Sequence, residues 1–285
     1  MTIAEIHGKI SETGSNLSER MEDLLTSDVL GCLRYLPAQK ALLPFLCTAR
    51  SSQGKAFAPV TGIVRVRSAF WPWLKSSGVD PCEPDVVLGL ETEGRLIHLV
   101  MVEAKYHAGL SSAEDDGADP NNQLARELDS LIRLTPTALR WDPGLRVASR
   151  TLLFVTAEVA MPRGDMARAL DEFKRKRNQE TDIFWTSWRV LPSILEEGLA
   201  TESDAGRRAV LADMLALLVR KGLTMFRGVE PMNLRCSLAD FQFYESGPRI
   251  YLWPGIPEPP ANLCEYNYQV VNHDGKPRQL NEDPV

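Results

Sequence analysis

EPDVVLGLETEGRLIHLVMVEAKY spans Glu83–Tyr106. Two apolar runs, DVVLGLE and LIHLVMVEAKY, flank the turn-forming TEGR, with Gly94 near its centre. Apolar runs joined by a short Gly-containing turn predict a β-hairpin. The second run is apolar on both faces from Leu96 to Val102, which predicts a central strand. Centring the turn on Gly94 sets Asp85 opposite Glu103. A slip of one residue would put them on opposite faces. Side chains two apart share a face, so Lys105 joins Glu103 while Ala104 points away. Charged groups are seldom buried unless paired or bound to a metal. Three of them bracket the most apolar part of this chain.

Further along the chain the periodicity changes. SERMEDLLTSDVLGCLRYL, from Ser18, predicts a helix with Met21, Leu24, Leu25, Val29, Leu33 and Leu36 at three- and four-residue steps. APVTGIVRVRSAFWPWL (58–74) predicts a strand with Pro72 at its edge or end. NNQLARELDSLIRL predicts a helix, RTLLFVTAEV a buried strand and RGDMARALDEFKRKRN a helix with a basic end. TDIFWTSWRVL predicts another strand, and residues 204–223 a long amphipathic helix. The polar stretch 107–122 is long for a connection inside a compact domain, and such loops are often functional. Helices alternating with strands around a hairpin predict an α/β layer protein with a mixed sheet. Residues 229–285 are rich in Pro, Trp and Tyr and give no clear pattern.

Composition narrows the function classes. The net charge of −6 gives no global basic signal, so any nucleic-acid contact needs a local patch. The five cysteines are odd in number and form no CxxC pair, which argues against a disulfide framework or zinc ribbon. No apolar run reaches the ~18 residues of a membrane helix, and the N-terminus lacks a secretory h-region. The expectation is a cytoplasmic, soluble protein.

The hairpin carries the chemistry. Asp85 and Glu103 on one face, side by side, would repel and raise each other's pKa. A divalent cation with oxygen ligands resolves that conflict, and Mg²⁺ (or Mn²⁺) suits it while keeping waters to share with a phosphate. Lys105 would then lie beside a metal-bound water or the phosphate.

Pro84-Asp85 followed by Glu103-Ala104-Lys105 resembles the motif of the PD-(D/E)XK phosphodiesterase superfamily, the restriction-endonuclease-like fold. Glu22-Asp23-Leu24-Leu25-Thr26 is similar to the Glu-x-x-Leu-Thr that a subset of the family carries on its first core helix. Asp23 competes with Glu22 for that acidic position. Gln123 is similar to the glutamine that many members carry on the helix after the ExK strand. The resemblance implies an αβββαβ core with a mixed sheet flanked by helices over 18 to about 160, inside a domain of 18–228 with additional C-terminal helices, and Mg²⁺-dependent nuclease activity; 229–285 is expected to be a C-terminal extension of unclear structure. Asp85, Glu103 and the Ala104 carbonyl would bind the metal and Glu22 would complete or support the site. Lys105 would serve the nucleophilic water, and Gln123 would orient groups nearby.

Plainer readings stand beside these. The Asp85–Glu103–Lys105 set could be a surface ion-pair cluster, Glu22 a solvent-facing helix residue and Gln123 an ordinary polar residue at a helix start. Lys174, Arg175, Lys176 and Arg177 could hold a nucleic-acid backbone, or form a solvated helix end that complements the dipole. Arg50, Lys55, Arg65 and Arg67 form a second basic candidate. His98 reads as a packed, hydrogen-bonded histidine, and Trp185 and Trp188 as core. The expected activity is DNA phosphodiester hydrolysis, in defence against foreign DNA or in repair. A non-catalytic binding or assembly subunit and an RNA-directed nuclease are the alternatives. A homodimer or a partner protein is compatible with each.

Overall fold

The computed structural model describes residues 17–58, 60–75, 81–106 and 122–225. In chain order the elements are α1 (Leu17–Cys32), α2 (Leu42–Cys47), β1 (Arg50–Ser51), β2 (Ile63–Phe70), β3 (Val86–Thr92), β4 (Leu96–Lys105), α3 (Gln123–Arg133), β5 (Arg146–Thr156), α4 (Arg163–Arg177), β6 (Ile183–Ser187), α5 (Leu191–Thr201) and α6 (Ala205–Arg220). Contacts divide the chain into Met1–Phe226 and Arg227–Val285, and every described residue lies in the first. The tail beyond 228, the loop 107–121 with its acidic EDD, His7, His107 and His273 lie outside the described residues.

The strands form one six-stranded sheet in the order β1-β6-β5-β4-β3-β2. β2, β3 and β4 form an antiparallel meander, β4, β5 and β6 run parallel, and β1 closes the far edge antiparallel. The sheet is mixed, as the alternation of elements predicts. The β3–β4 register runs from Thr92 opposite Leu96 to Val86 opposite Val102. The next pair outward is Asp85 and Glu103, as the turn centre predicts. Gly94 (φ 70°) and Arg95 (φ 62°) make the turn in the left-handed region, whose twist matches that of the flanking strands.

Helices cover both faces. Leu25 and Val29 of α1, and Leu33 just beyond it, pack with residues of α2, α5 and α6 against Val86, Leu88, Val100 and Val102. Leu124, Leu128 and Leu131 of α3 pack with Met166 and Phe173 of α4 against Val87, Leu99 and Met101. β4 is thus buried from both sides. Each fully buried side chain of this size stabilises by about 1.5–3 kcal/mol, so the hairpin is a rigid base for whatever its ends carry. Gly89 is needed for close packing, because a Cβ there would lie 2.6 Å from the Trp141 ring and 2.7 Å from Ile97.

Several expected boundaries shift. The strand expected over 58–74 occupies only 63–70, because Gly62 (φ 66°) precedes it and Trp71 (φ 44°) turns the chain after it. The strand expected over TDIFWTSWRVL ends at Ser187, whose side chain accepts from Arg189 N and caps a 3-10 turn over Trp188–Val190. The first helix ends at Cys32 and tightens into a 3-10 turn over Leu33–Tyr35. Three elements have no clear periodic signal: α2, α5 and the two-residue β1. Trp188 is buried and stacks on Phe45, and Trp185 Nε1 donates to Thr156 Oγ1, which makes both part of the interior. His98 Nδ1 is hydrogen-bonded to Ser149 Oγ at 2.8 Å. Among the described residues, no helix is long and apolar enough to cross a membrane, and Cys32, Cys47 and Cys82 are free thiols.

Candidate metal centre

The site forms where three elements end together. Asp85 immediately precedes β3, Glu103 and Lys105 are the last residues of β4 on its α3-facing side, and Glu22 lies in the second turn of α1. Although α1 covers the opposite face of the sheet, Glu22 reaches past the strand end. Its Oε1 accepts from Lys105 Nζ at 2.9 Å and its Oε2 accepts from the Tyr106 backbone N–H at 3.0 Å. It is Glu22, not Asp23, that the fold brings here.

Asp85 Oδ2 accepts from the Ala104 N–H at 2.8 Å, and Oδ1 accepts from Trp71 Nε1 at 3.1 Å. The carbonyl of a strand residue points to the same side as its own N–H. The Ala104 carbonyl therefore also faces Asp85, while the Lys105 carbonyl on the other side accepts from Ala157 N. Glu103 Oε1 accepts from Lys105 Nζ at 2.7 Å and from Gln123 Nε2 at 2.6 Å. Gln123 begins α3, which Asn122 caps by accepting from Ala125 N. This cap sets the first turn of the helix over Glu103.

Glu22, Asp85 and Glu103 each offer an oxygen within 4.8 Å of the others, and all three are buried. In an octahedral Mg²⁺ site adjacent ligands are about 2.9 Å and opposite ones about 4.1 Å apart, so an ion would draw these oxygens together. All donors are oxygens, the preference of a hard cation. This buried cluster could bind a metal ion.

Glu127 also belongs to the site, and reading the sequence missed it. It lies one helical turn after Gln123 and accepts from Gln123 Nε2 at 3.2 Å. It is 1% exposed, and its Oε2 has no hydrogen-bond partner. The signal was the four-residue spacing from Gln123, which puts both side chains on one face. Trp71 and the Tyr106 N–H were also missed, and no local pattern marks them.

The electrostatics follow from four buried carboxyl groups around one ammonium. Burial, reinforced by Glu103, raises the Asp85 carboxyl well above its ordinary value. Burial, reinforced by Glu127, does the same to Glu103. Burial pushes Glu127 up to about 7, with Asp85 adding to the effect and the hydrogen bond with Glu103 opposing it. For Lys105, burial alone would lower the ammonium pKa, but Glu103, Glu22 and Asp85 outweigh it and raise it.

Three of the four residues offered as a backbone grip or a solvated helix end have carboxylate partners. Lys174 pairs with Glu180 and Lys176 with Glu172, while Arg177 pairs with Asp129. Arg175 lies between them on the last turn of α4. Asp129 is six residues along α3 from Gln123, about 9 Å by helical rise. In the second basic group, Arg50 donates to the Cys47 and Ala49 carbonyls, Lys55 pairs with Asp182, and Arg67 pairs with Glu91.

Fold and site together define an α/β protein with helices on both faces of a mixed sheet and a buried acidic cluster at the strand ends. Compared with protein-family models, curated proteins and solved structures, the chain matches none of them.

Proposed function

We propose that this protein is a metal-dependent nuclease of the PD-(D/E)XK, restriction-endonuclease-like kind that hydrolyses phosphodiester bonds of DNA, in defence against foreign DNA or in repair. One observation carries the reading: Glu22, Asp85 and Glu103, from separate parts of the chain, converge within metal-ligand distance around the Lys105 ammonium. A decorative surface ion pair would be solvated, whereas Glu22, Asp85 and Glu103 are all buried.

Asp85, Glu103, the Ala104 carbonyl and Glu22 would hold Mg²⁺ or Mn²⁺. Such an ion supplies Lewis-acid charge to a phosphoryl oxygen and lowers the pKa of water. Lys105 keeps its proton among three carboxylates, so it acts as a donor and a positive charge rather than as a base. It holds the attacking water or a phosphate oxygen by hydrogen bonding. Gln123 fixes the Glu103 carboxylate, and Trp71 and the Ala104 N–H fix that of Asp85.

The test is cleavage of labelled single- and double-stranded DNA and RNA with Mg²⁺, Mn²⁺ or EDTA, comparing wild type with Lys105→Ala. Metal-dependent DNA cleavage that the substitution abolishes supports the reading. Intact cleavage in Lys105→Ala, or no cleavage and no metal binding in wild type, overturns it.

A further inference from the structure

The segment that leaves β2 beside the metal centre behaves unlike an ordinary loop. Trp71 and Leu74 are buried, at 6% and 5% exposure. Trp71 is anchored on Asp85 through its indole N–H, and its own backbone N–H donates to the Asp85 carbonyl. Leu74 and Cys82 are tied by a pair of backbone hydrogen bonds at 2.9 and 3.1 Å. Between these anchors Trp73 is 64% exposed. Leaving most of an indole in water forgoes burial of the largest apolar side chain, on a segment too constrained to turn it inward. Two peptide units separate it from Trp71, so its Cα lies within about 7 Å of the Trp71 Cα.

The charges nearby are of both signs, with Glu83 exposed beside Cys82 opposite Trp73. Lys75 is exposed two residues on. The Arg34 guanidinium sits 5.8 Å from the centre of the Phe70 ring, which in turn lies 5.8 Å from the Trp71 ring. Arg34 and Arg65 line a cleft of about 430 Å³ along β2, where Arg67 is already paired with Glu91. Exposed aromatic rings with cations on the same stretch of chain are one arrangement by which proteins hold single-stranded nucleic acid: bases stack and phosphates meet the cations.

We propose that Trp73 is a base-stacking residue, taking an unpaired nucleobase next to the phosphate held at the metal centre, with Arg34 and Lys75 on the adjoining phosphates. This rests on the nuclease reading and assigns its substrate class. The preferred substrate is a single strand or a frayed end, because a base inside a duplex has no free face to offer.

The experiment measures binding of a fluorescent single-stranded oligonucleotide and of a hairpin-closed duplex by anisotropy, on the full chain with Ca²⁺ replacing Mg²⁺. Trp73→Ala is expected to weaken single-strand binding about 5- to 100-fold, and Trp73→Phe to restore most of it. An oligonucleotide with one abasic site at the stacked position should lose the same factor against wild type and nothing further against Trp73→Ala. Unchanged single-strand binding in Trp73→Ala overturns the proposal, as does equal loss on the closed duplex or no oligonucleotide binding by wild type. The two readings fail separately. Metal-dependent cleavage with unchanged binding in Trp73→Ala removes the stacking role alone. Trp73-dependent binding without cleavage removes the nuclease reading and leaves the stacking surface.

Discussion

Glu22 and Lys105 meet as an ion pair at 2.9 Å although 83 residues separate them in the chain. Lys105 also holds Glu103 at 2.7 Å, so one ammonium occupies the space between two carboxylates that could bind a cation. The lysine therefore serves as a built-in counterion, and a bound metal would have to share that space with it.

Replacing Lys105 with Met removes this competitor. Mg²⁺ binding measured by calorimetry should tighten, while metal-dependent cleavage should fall by about 10²–10⁴-fold, the usual worth of a positioned donor. The metal-free variant should also be less stable, because its carboxylates lose their counterion. A tenfold loss of Mg²⁺ affinity would contradict the competitor role.

The acid cluster predicts an unusual pH dependence. Glu127 titrates near 7 in the fold against an ordinary value of 4.5, so between these values the folded state binds more protons than the unfolded state. Stability must then fall as pH rises through that window, by on the order of 3 kcal/mol from this group alone. Asp85 and Glu103 are raised and act in the same direction. The metal-free protein should melt at higher temperature at pH 5 than at pH 8, and Glu127→Gln should flatten the difference. Mg²⁺ needs ionised ligands, so its stabilising effect should be larger at pH 8 than at pH 5. Thermal melts across pH with and without Mg²⁺ measure both.

Trp71 donates its indole N–H to Asp85 Oδ1. Trp71→Phe keeps a ring in the core and removes the donor. Losing a hydrogen bond to a buried carboxylate costs about 1–3 kcal/mol. Urea unfolding should show that loss, and calorimetry should show weaker Mg²⁺ binding because one restraint on Asp85 is gone. Unchanged metal affinity would mean that the Ala104 N–H alone positions the carboxylate.

Gly89→Ala tests the scaffold instead of the site. Its Cβ would lie 2.6 Å from the Trp141 ring, so the ring or the hairpin must move. Overpacking of this sort costs about 1–3 kcal/mol. The midpoint of urea unfolding should drop accordingly.

Much of this was legible in the chain itself. The turn at Gly94 set the register that pairs Asp85 with Glu103, because side chains alternate strictly along a strand. Leu25 and Val29 marked α1, and Leu124, Leu128 and Leu131 marked α3, because one face of each had to be apolar. The mixed sheet followed from a hairpin set among alternating helices and strands.

Other features depend on contacts between distant segments. Helix α5 carries little of its character in local periodicity and is held by burial of Leu191, Ile194 and Leu195 against the core. Glu22 could not be chosen over Asp23 by spacing, because only the crossing of α1 past the end of β4 decides which carboxylate reaches Lys105. The basic run 174–177 could be a backbone grip or a solvated helix end by sequence, and only the fold shows Glu180, Glu172 and Asp129 pairing with three of its cations. Glu127 was missed because only the packing of α3 lays it beside Glu103. Local pattern determined the main helices and strands, apart from α2, α5 and β1, and which hairpin residues share a face. Tertiary structure decided which charges lose their water together, because burial is set by segments that sequence order keeps apart.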